Sequence, residues 1–480
     1  MLFPSMEFLF IFFPVTFCVY FLLPKKIGSQ NVRNYWLLIA SLFFYAWGEP
    51  KFVLAMLFSI GFNYFIALHI EELVGNHLYR NLLLTLAVLV NIGILFVFKY
   101  MNFVTGTIHS IWPQTTEMFA QSSFVLPIGI SFFTFQALSY VIDVYRGVPA
   151  QKNLGYLGLY IAFFPQLIAG PIVRYTTIAE QINERKITTA MFSDGVLRFL
   201  YGFNKKVLLA NAFAEVADRA FAAESLSVGM AWLGAVCYTL QIFFDFSGYS
   251  DMAIGLGKMF GFKFLENFNY PYISKTITEF WRRWHISLGS WFRDYVYFPL
   301  GGSKVDSKMR LVFNLFVVWL ATGIWHGASW NFIVWGLLYG VLITFEKLMN
   351  IPERINKHKL LAVCYQTFTL LAVMFGWVLF RSESLSNAVV YIQAMFGLGA
   401  NSLVDNDFIF YSREYIVVLV AGLLLSTPIV RYLKNKFVAN KYLIKGISEN
   451  FGYALQLLLF IVSISFLIMN AHNPFIYFNF

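Results

Sequence analysis

Residues 311–345 read LVFNLFVVWLATGIWHGASWNFIVWGLLYGVLITF, two apolar runs that are separated only by a short break around His326. Each run approaches the length of about 20 residues that an α-helix needs to cross the hydrocarbon core of a bilayer. At the break, Gly327, Ala328 and Ser329 follow the histidine as three consecutive small residues. The stretch therefore predicts two consecutive membrane helices, with the histidine at the turn between them.

The rest of the chain has the same apolar character. Of its 480 residues, 59% are hydrophobic, 20% are aromatic and only 12% are charged. A soluble domain of this composition would expose large apolar surfaces to water. We therefore predict an all-α, polytopic protein that forms a single membrane domain over residues 1–480 and is surrounded by a lipid bilayer. The net charge of +10 comes from basic loops between apolar stretches, which membrane topology explains without a nucleic acid partner.

The candidate spans differ in length, and several are too short to cross a membrane alone. They are residues 6–23, 35–47, 52–69, 82–98, 124–142, 156–172, 227–246, 311–325, 329–345, 360–380, 415–432 and 452–470. Residues 263–300 have another pattern, because aromatic residues alternate with charges and are interrupted by proline and glycine. Irregular backbone at membrane depth must be shielded from lipid, so this pattern predicts re-entrant and interfacial helices that line a cavity.

Basic residues in short loops predict the orientation, because such loops remain on the cytoplasmic side. The basic cluster within 25–33 follows the first apolar stretch and places the N-terminus outside. Basic loops at 304–310, 347–359 and 431–445 are predicted to face the cytoplasm. Strict alternation then makes the C-terminus extracytoplasmic as well.

His326 is the first candidate for chemistry, because ionisable groups at membrane depth are costly and often functional. Alternation from the loop at 304–310 brings it toward the outer side. A histidine can move a proton near neutral pH, and Gly327 and Ala328 leave room for a substrate beside its ring. The alternative is a histidine that only packs between helices.

His285 is the second candidate, within the sequence WRRWHISLG at 281–289. It precedes a basic loop and is predicted to lie nearer the cytoplasm, so the two histidines indicate a passage that is open to both faces. Arg282, Arg283 and Arg293 have the chemistry to bind the phosphates of an anionic acyl donor. A basic interfacial helix in contact with lipid headgroups explains the same arginines equally well.

Two carboxylates, Asp245 and Asp251, lie six residues apart in FDFSGYSD at the end of an aromatic span. We expect them to pair with the arginines or to position a histidine, and not to act as general acids. The sequence contains no Gly-x-Ser-x-Gly motif, Walker loop or metal-ligand cluster. Covalent hydrolase chemistry, a metal and a bound cofactor are therefore not predicted.

The sequences FWRRWHISLGSWFRDYVYFPLGG at 280–302 and WHG at 325–327 strongly resemble the membrane-bound O-acyltransferase family. The similarity extends through 165–172, 245–251 and 473–478, and so covers most of the chain. Within the family the chain is most similar to bacterial proteins of alginate and peptidoglycan O-acetylation. Its FPLGG sequence resembles these proteins more than the related D-alanyl exporters.

The resemblance implies a ring of tilted transmembrane helices in a bacterial cytoplasmic (inner) membrane, with funnels that enter from both faces. His326 matches the catalytic histidine of the family, and His285 matches its second motif position. The resemblance also implies acetyl-CoA as the cytoplasmic donor. An extracytoplasmic SGNH-type acetyltransferase partner would complete transfer to a polysaccharide.

The expected reaction is acyl transfer to an acceptor hydroxyl, with His326 as general base and His285 orienting the acyl group or stabilising developing charge. Tyr477, within FIYFNF at 475–480, is a candidate acyl relay on the outer side. Its alternative role is an aromatic anchor at the membrane interface.

Three other functions agree with parts of the sequence. The first is D-alanyl transfer to teichoic acid. The second is a transporter or flippase, in which the histidines and arginines line a substrate path without bond making. The third is a membrane scaffold that only recruits an extracytoplasmic enzyme.

Overall fold

A computed structural model of the chain describes residues 1–27, 31–112, 124–438, 442–469 and 476. These residues are predominantly helical. The helices, including short π and 3-10 segments, are Phe8–Phe12, Phe13–Leu22, Val32–Gly48, Val53–Glu72, His77–Leu95, Phe96–Tyr100, Met101–Ile111, Ile130–Tyr145, Leu154–Ala162, Phe164–Leu167, Tyr175–Asn183, Thr189–Asn204, Lys205–Ala210, Asn211–Phe221, Val228–Met259, Pro271–Ile273, Ile277–Arg283, Ile286–Phe292, Arg293–Tyr297, Lys308–His326, Trp330–Leu348, Ile351–Lys357, Lys359–Arg381, Leu385–Met395, Asn406–Glu414, Ile416–Leu425, Ile429–Val438 and Tyr442–Ile468.

Seven helical stretches in the described part of the chain are long and apolar enough to cross a membrane. They are Val53–Glu72, His77–Ile111, Val228–Met259, Lys308–His326, Trp330–Leu348, Lys359–Arg381 and Asn450–Ile468. A further pair, Asn406–Glu414 and Ile416–Leu425, meets the same criteria together but is bent by 61°. The prediction of an all-α, polytopic membrane protein is confirmed. The ring of helices and the funnels on both faces stay predictions.

One predicted span, 156–172, is not a continuous helix. It consists of Leu154–Ala162 and the short helix Phe164–Leu167. Pro165 has no backbone N–H and cannot donate to the carbonyl of Ile161, four residues earlier, so the α-helical bonding pattern is interrupted here.

The predicted span 415–432 is interrupted in the same way. The structure has one helix over Ile416–Leu425 and another over Ile429–Val438. Pro428 lies just before the second helix and cannot donate a backbone hydrogen bond to Leu424.

The chain divides into two compact units. The first consists of Met1–Val196 and Ala253–Leu265, and the second of Leu197–Met252 and Glu266–Phe480. Within the first unit, helix Ile130–Tyr145 is buried along nearly its whole length. The single membrane domain over the whole chain stays a prediction.

In the second unit, helices Lys308–His326 and Trp330–Leu348 pack closely along each other, as the break at the histidine predicts. Their backbones approach at two glycines. A Cβ atom on Gly323 would lie 2.4 Å from the carbonyl oxygen of Phe332, and one on Gly336 would lie 2.4 Å from the carbonyl oxygen of Trp319. Small residues allow this close approach between membrane helices.

The stretch 263–300 has the interrupted backbone that its sequence predicts. Short helices follow one another over Ile277–Arg283, Ile286–Phe292 and Arg293–Tyr297. The first two are separated by only Trp284 and His285. The second candidate histidine therefore lies at a break between helices.

Candidate functional site

His326 is the last residue of helix Lys308–His326 and is 3% exposed. Its ring packs edge to face with three aromatic rings. The centroid distances are 4.9 Å to Trp325, 4.8 Å to Trp335 and 5.4 Å to Phe380. Aromatic packing at the end of a regular helix thus determines the position of this histidine.

His285 is held differently, by an unusual backbone conformation. Its φ is +45°, in the left-handed region that a residue with a Cβ rarely adopts. It immediately precedes helix Ile286–Phe292, and its side chain is buried. Such conformations persist only where surrounding contacts enforce them, and they cluster at functional sites.

Asn267 supplies contacts of this kind. Its side-chain oxygen accepts hydrogen bonds from the backbone N–H of Ser287 at 3.1 Å and from the Ser287 hydroxyl at 2.9 Å. Because a backbone N–H can only donate, these bonds identify the amide oxygen. The same oxygen lies 3.2 Å from Nδ1 of His285. Nδ1 must therefore carry the proton, and Nε2 of the neutral ring carries the lone pair.

Two aromatic rings also pack beside His285. Phe246 packs against it at 4.6 Å with an interplanar angle of 87°, and Trp325 lies at 6.1 Å. Burial lowers the pKa of His285 to about 3, so the ring is neutral at physiological pH. The ring of Trp325 contacts both His285 and His326, which makes the two histidines parts of one site.

A cavity of about 490 Å³ borders His285. Its walls are mainly apolar and include Trp281. Three cationic side chains, Arg282, Arg293 and Lys347, also line it. The cavity combines an apolar interior with positive charge, which suits a long ligand with anionic groups.

The structure separates the three predicted donor-binding arginines. Arg282 and Arg293 line the cavity, whereas Arg283 is outside its lining. Arg283 instead donates to the Glu279 carboxylate at 2.9 Å and to the carbonyl of Asn269 at 3.1 Å. Its bonds stabilise the local backbone around the broken segment.

Two residues were missed by the sequence analysis, one that lines the cavity and one that supports a helix beside it. Lys347 donates to the hydroxyl of Tyr297 at 2.9 Å and belongs to the cavity lining. Glu346 is fully buried and accepts the backbone N–H groups of Ile277 and Thr278 at 2.6 and 2.8 Å. Glu346 thus fixes the start of the helix that carries Arg282. An acidic residue within an apolar span was the available signal.

Asp245 is outside the lining of the cavity. Its carboxylate forms a buried ion pair with Lys206 at 2.9 Å. Asp251 pairs instead with Arg198 and Lys205. The two carboxylates therefore bind cations from the preceding helices. Phe246, the residue after Asp245, is the one that contacts His285.

The predicted role of Tyr477 and the expected absence of a metal or cofactor are not tested by the structure. Tyr477 lies outside the described residues, so its role stays a prediction. In the described part of the chain, no three histidine, cysteine, aspartate or glutamate side chains come together as a metal site would need. The expected absence of a metal and of a bound cofactor also stays a prediction.

Comparison with known proteins gives consistent matches. Residues 153–351 match the model of the membrane-bound O-acyltransferase family. The chain is 40% identical to the probable alginate O-acetylase AlgI of Pseudomonas putida, over 100% of both chains. It is 37% identical to the peptidoglycan O-acetyltransferase of Helicobacter pylori, over 84% of this chain and 81% of the relative. It is 32% identical to the teichoic acid D-alanyltransferase of Streptococcus thermophilus, over 48% of this chain and 60% of the relative.

Proposed function

Because the chain belongs to the membrane-bound O-acyltransferase family, we propose that it passes an acetyl group from cytoplasmic acetyl-CoA across the bacterial inner membrane for O-acetylation of an extracytoplasmic polysaccharide. The observation that carries this proposal is the cationic cavity that borders His285, beside the ring of Trp325 that also contacts His326. His326 itself is outside the lining of the cavity, and the ring of Trp325 connects it to His285, which is part of that lining.

The chemistry of the cavity suits a coenzyme A thioester. Arg282, Arg293 and Lys347 would bind its phosphates, since guanidinium and ammonium groups form charge-assisted hydrogen bonds to phosphate oxygens. The apolar walls would hold the thioester arm with its acyl end toward His285. Excluding water from this end would protect the thioester from hydrolysis.

The reaction is an acyl transfer in which His326 acts as general base. It removes the proton from an acceptor hydroxyl while the oxygen attacks the thioester carbonyl carbon. The new C–O bond forms, the C–S bond breaks, and the proton passes from the imidazolium to the departing thiolate.

The tautomer of His285 favours one of its two predicted roles. Its Nδ1–H faces Asn267, so its Nε2 has no proton with which to stabilise a developing oxyanion. Nε2 can accept a hydrogen bond. His285 is therefore proposed to orient a donor or acceptor group at the end of the cavity.

The later steps take place on the outer side. Loop charges support extracytoplasmic termini, and the hydroxyl that attacks the thioester with His326 as base would be that of Tyr477 near the C-terminus. An SGNH-type acetyltransferase partner would then move it to the polysaccharide. Full-length similarity to an alginate O-acetylase makes alginate the first polymer to test, and peptidoglycan the second.

D-alanyl transfer to teichoic acid is the second candidate. It is supported by a relative at 32% identity, but the similarity covers only 48% of this chain. A transporter or a scaffold without acyl-transfer chemistry has less support, because the family consists of acyltransferases.

The proposal is tested with purified protein that is reconstituted in sealed vesicles. Labelled acetyl-CoA is enclosed in the vesicles, and the partner and the polymer are added outside. We expect thioester cleavage and label on the external polymer. His326→Ala serves as the inactive control. Movement of intact donor without cleavage would support transport, and preference for a D-alanyl thioester carrier would support the second candidate.

The relay step has its own test. Tyr477→Phe keeps the aromatic ring and removes only the nucleophilic oxygen. We expect normal membrane insertion with loss of polymer acetylation, and an acetylated Tyr477 in the wild-type protein by mass spectrometry. Full polymer acetylation by Tyr477→Phe would leave the residue as an anchor only.

A further inference from the structure

We propose that Asp245 and Lys206 form a buried binding site for the C-terminal segment of the chain, which they hold through the backbone N–H of Ile476. This inference rests on the proposed function, because the segment that is held also contains the candidate relay residue. Asp245 then positions the C-terminal segment, whereas the sequence predicts that it pairs with an arginine or positions a histidine.

The contact between the segment and the site is direct. The N–H of Ile476 donates to Oδ2 of Asp245 at 2.9 Å. The other carboxylate oxygen, Oδ1, lies 2.9 Å from Nζ of Lys206. Lys206 also donates to the side-chain oxygen of Asn211 at 2.8 Å. Both carboxylate oxygens are thus engaged, one by the cation and one by the terminal backbone.

Burial makes this arrangement specific. Asp245 and Lys206 are each 1% exposed, and Ile476 is 7% exposed. A buried ion pair is costly to desolvate unless hydrogen bonds satisfy its remaining polar capacity. The N–H of Ile476 supplies such a hydrogen bond at Oδ2. Binding of the segment therefore also completes the hydrogen bonding of the buried carboxylate.

The sequence builds the site through a close contact of two helices. A Cβ atom on Gly202 would lie 2.4 Å from the carbonyl oxygen of Gly248, and one on Gly248 would lie 2.8 Å from that of Gly202. Only residues without side chains allow this approach. It brings Lys206, one turn after Gly202, beside Asp245 on the other helix.

The site is adjacent to the reaction centre along the chain. Asp245 is followed by Phe246, whose ring packs on His285 at 4.6 Å. The amide of Ile476 is therefore bound by a residue that directly precedes a contact of the candidate active site. The ligand class of the site is a peptide segment that offers a backbone N–H, here that of Ile476.

Hydrogen–deuterium exchange of the full chain in nanodiscs tests the binding directly. The test variant is Asp245→Leu with Lys206→Met, since replacing both members of a buried pair with apolar residues preserves folding better than removing one. We expect the amide of Ile476 to exchange at least about tenfold faster in this variant, as loss of a hydrogen bond to a charged group implies. Equal exchange in the two proteins would overturn the proposal.

A matched control is available in the same helix. Asp251 is also a buried carboxylate, but it pairs with Arg198 and Lys205. Asp251→Asn should leave the exchange of the Ile476 amide unchanged. An equal increase in Asp251→Asn would mean general loosening and would also overturn the proposal.

A second pair of variants links binding to delivery. Ile476→Pro removes the N–H, because proline has none, whereas Ile476→Val keeps it. We expect Ile476→Pro to lower polymer acetylation about tenfold with an unchanged KM for acetyl-CoA, and Ile476→Val to match the wild type. Equal acetylation by the two variants would overturn the positioning role.

The outcomes separate this inference from the proposed function. Loss of amide protection in the double variant, together with a wild-type protein that transfers no acetyl group, would leave the binding site standing and remove the proposed function. If the wild type transfers acetyl groups but the double variant shows unchanged protection of the Ile476 amide, the proposed function would stand and the binding site would be overturned.

Discussion

The two histidines of the candidate site are positioned by different physical means. His326 ends a regular helix and is fixed by the faces and edges of aromatic rings. His285 lies at a break between short helices, in a left-handed conformation, and is fixed by the amide of Asn267. The comparison indicates that changes around His326 act mainly through its own chemistry, whereas changes around His285 act through its hydrogen-bonded neighbours.

The largest effect is expected at the histidine that is held by packing. His326→Ala should lower acetyl transfer by about 10²–10⁴-fold, the usual contribution of a proton-transfer group. The amount of folded protein should stay near that of the wild type, because His326 is the last residue of its helix and its replacement does not interrupt the helical hydrogen bonds. Turnover is measured with labelled acetyl-CoA, and folding by size-exclusion chromatography. Near-normal turnover would remove His326 as the base.

Changing the neighbour of the other histidine should have the next largest effect. Asn267→Leu leaves buried donors on His285 and Ser287 without their acceptor, which costs about 1–3 kcal/mol. We expect a loss of roughly 5–150-fold in kcat/KM. Ser250→Ala is the control, because it removes only the oxygen that accepts from Nδ2 of Asn267. Equal losses in both variants would contradict a specific role for the contact to His285.

The arginines offer a comparison between adjacent residues. Arg282 lines the cavity, and Arg283 is bonded to Glu279 outside that lining. We expect Arg282→Ala to raise the KM for acetyl-CoA about tenfold, as loss of a charge-assisted hydrogen bond implies, and Arg283→Ala to change it little. The effect should shrink as salt screens the exposed charge. The reverse order of KM values would argue against this donor site.

The smallest effect is expected for pH: ionisation of His285 should not change the KM for acetyl-CoA near neutral pH. With a pKa lowered to about 3 by burial, His285 is protonated only as the pH falls toward 3. Its contribution to donor binding should therefore be constant from about pH 5 to 8, whereas an ordinary histidine with a pKa near 6.5 would titrate in this range. The KM for acetyl-CoA is measured across the range. An inflection near pH 6.5 that disappears in His285→Gln would show that the ring titrates.

Both histidines could be predicted from the sequence because each is an ionisable residue in an apolar setting. Asn267 and Lys347 could not be recognised in this way. Asn267 is 18 residues from His285, and an asparagine in a loop is usually unremarkable. Lys347 appears in the sequence as one member of a basic loop. Only the folded chain shows that it lines the same cavity as Arg282.

The sequence by itself determined the membrane environment and the positions of most helices, and it was enough to select the two candidate histidines, because these depend on local hydropathy and on residue type. Tertiary structure alone decided the partners of the charged groups. Asp245 lies 39 residues from Lys206 and 231 from Ile476, yet it bonds to both. Hydropathy carries no information about contacts between residues so far apart, since they depend on how closely two glycine-bearing helices approach.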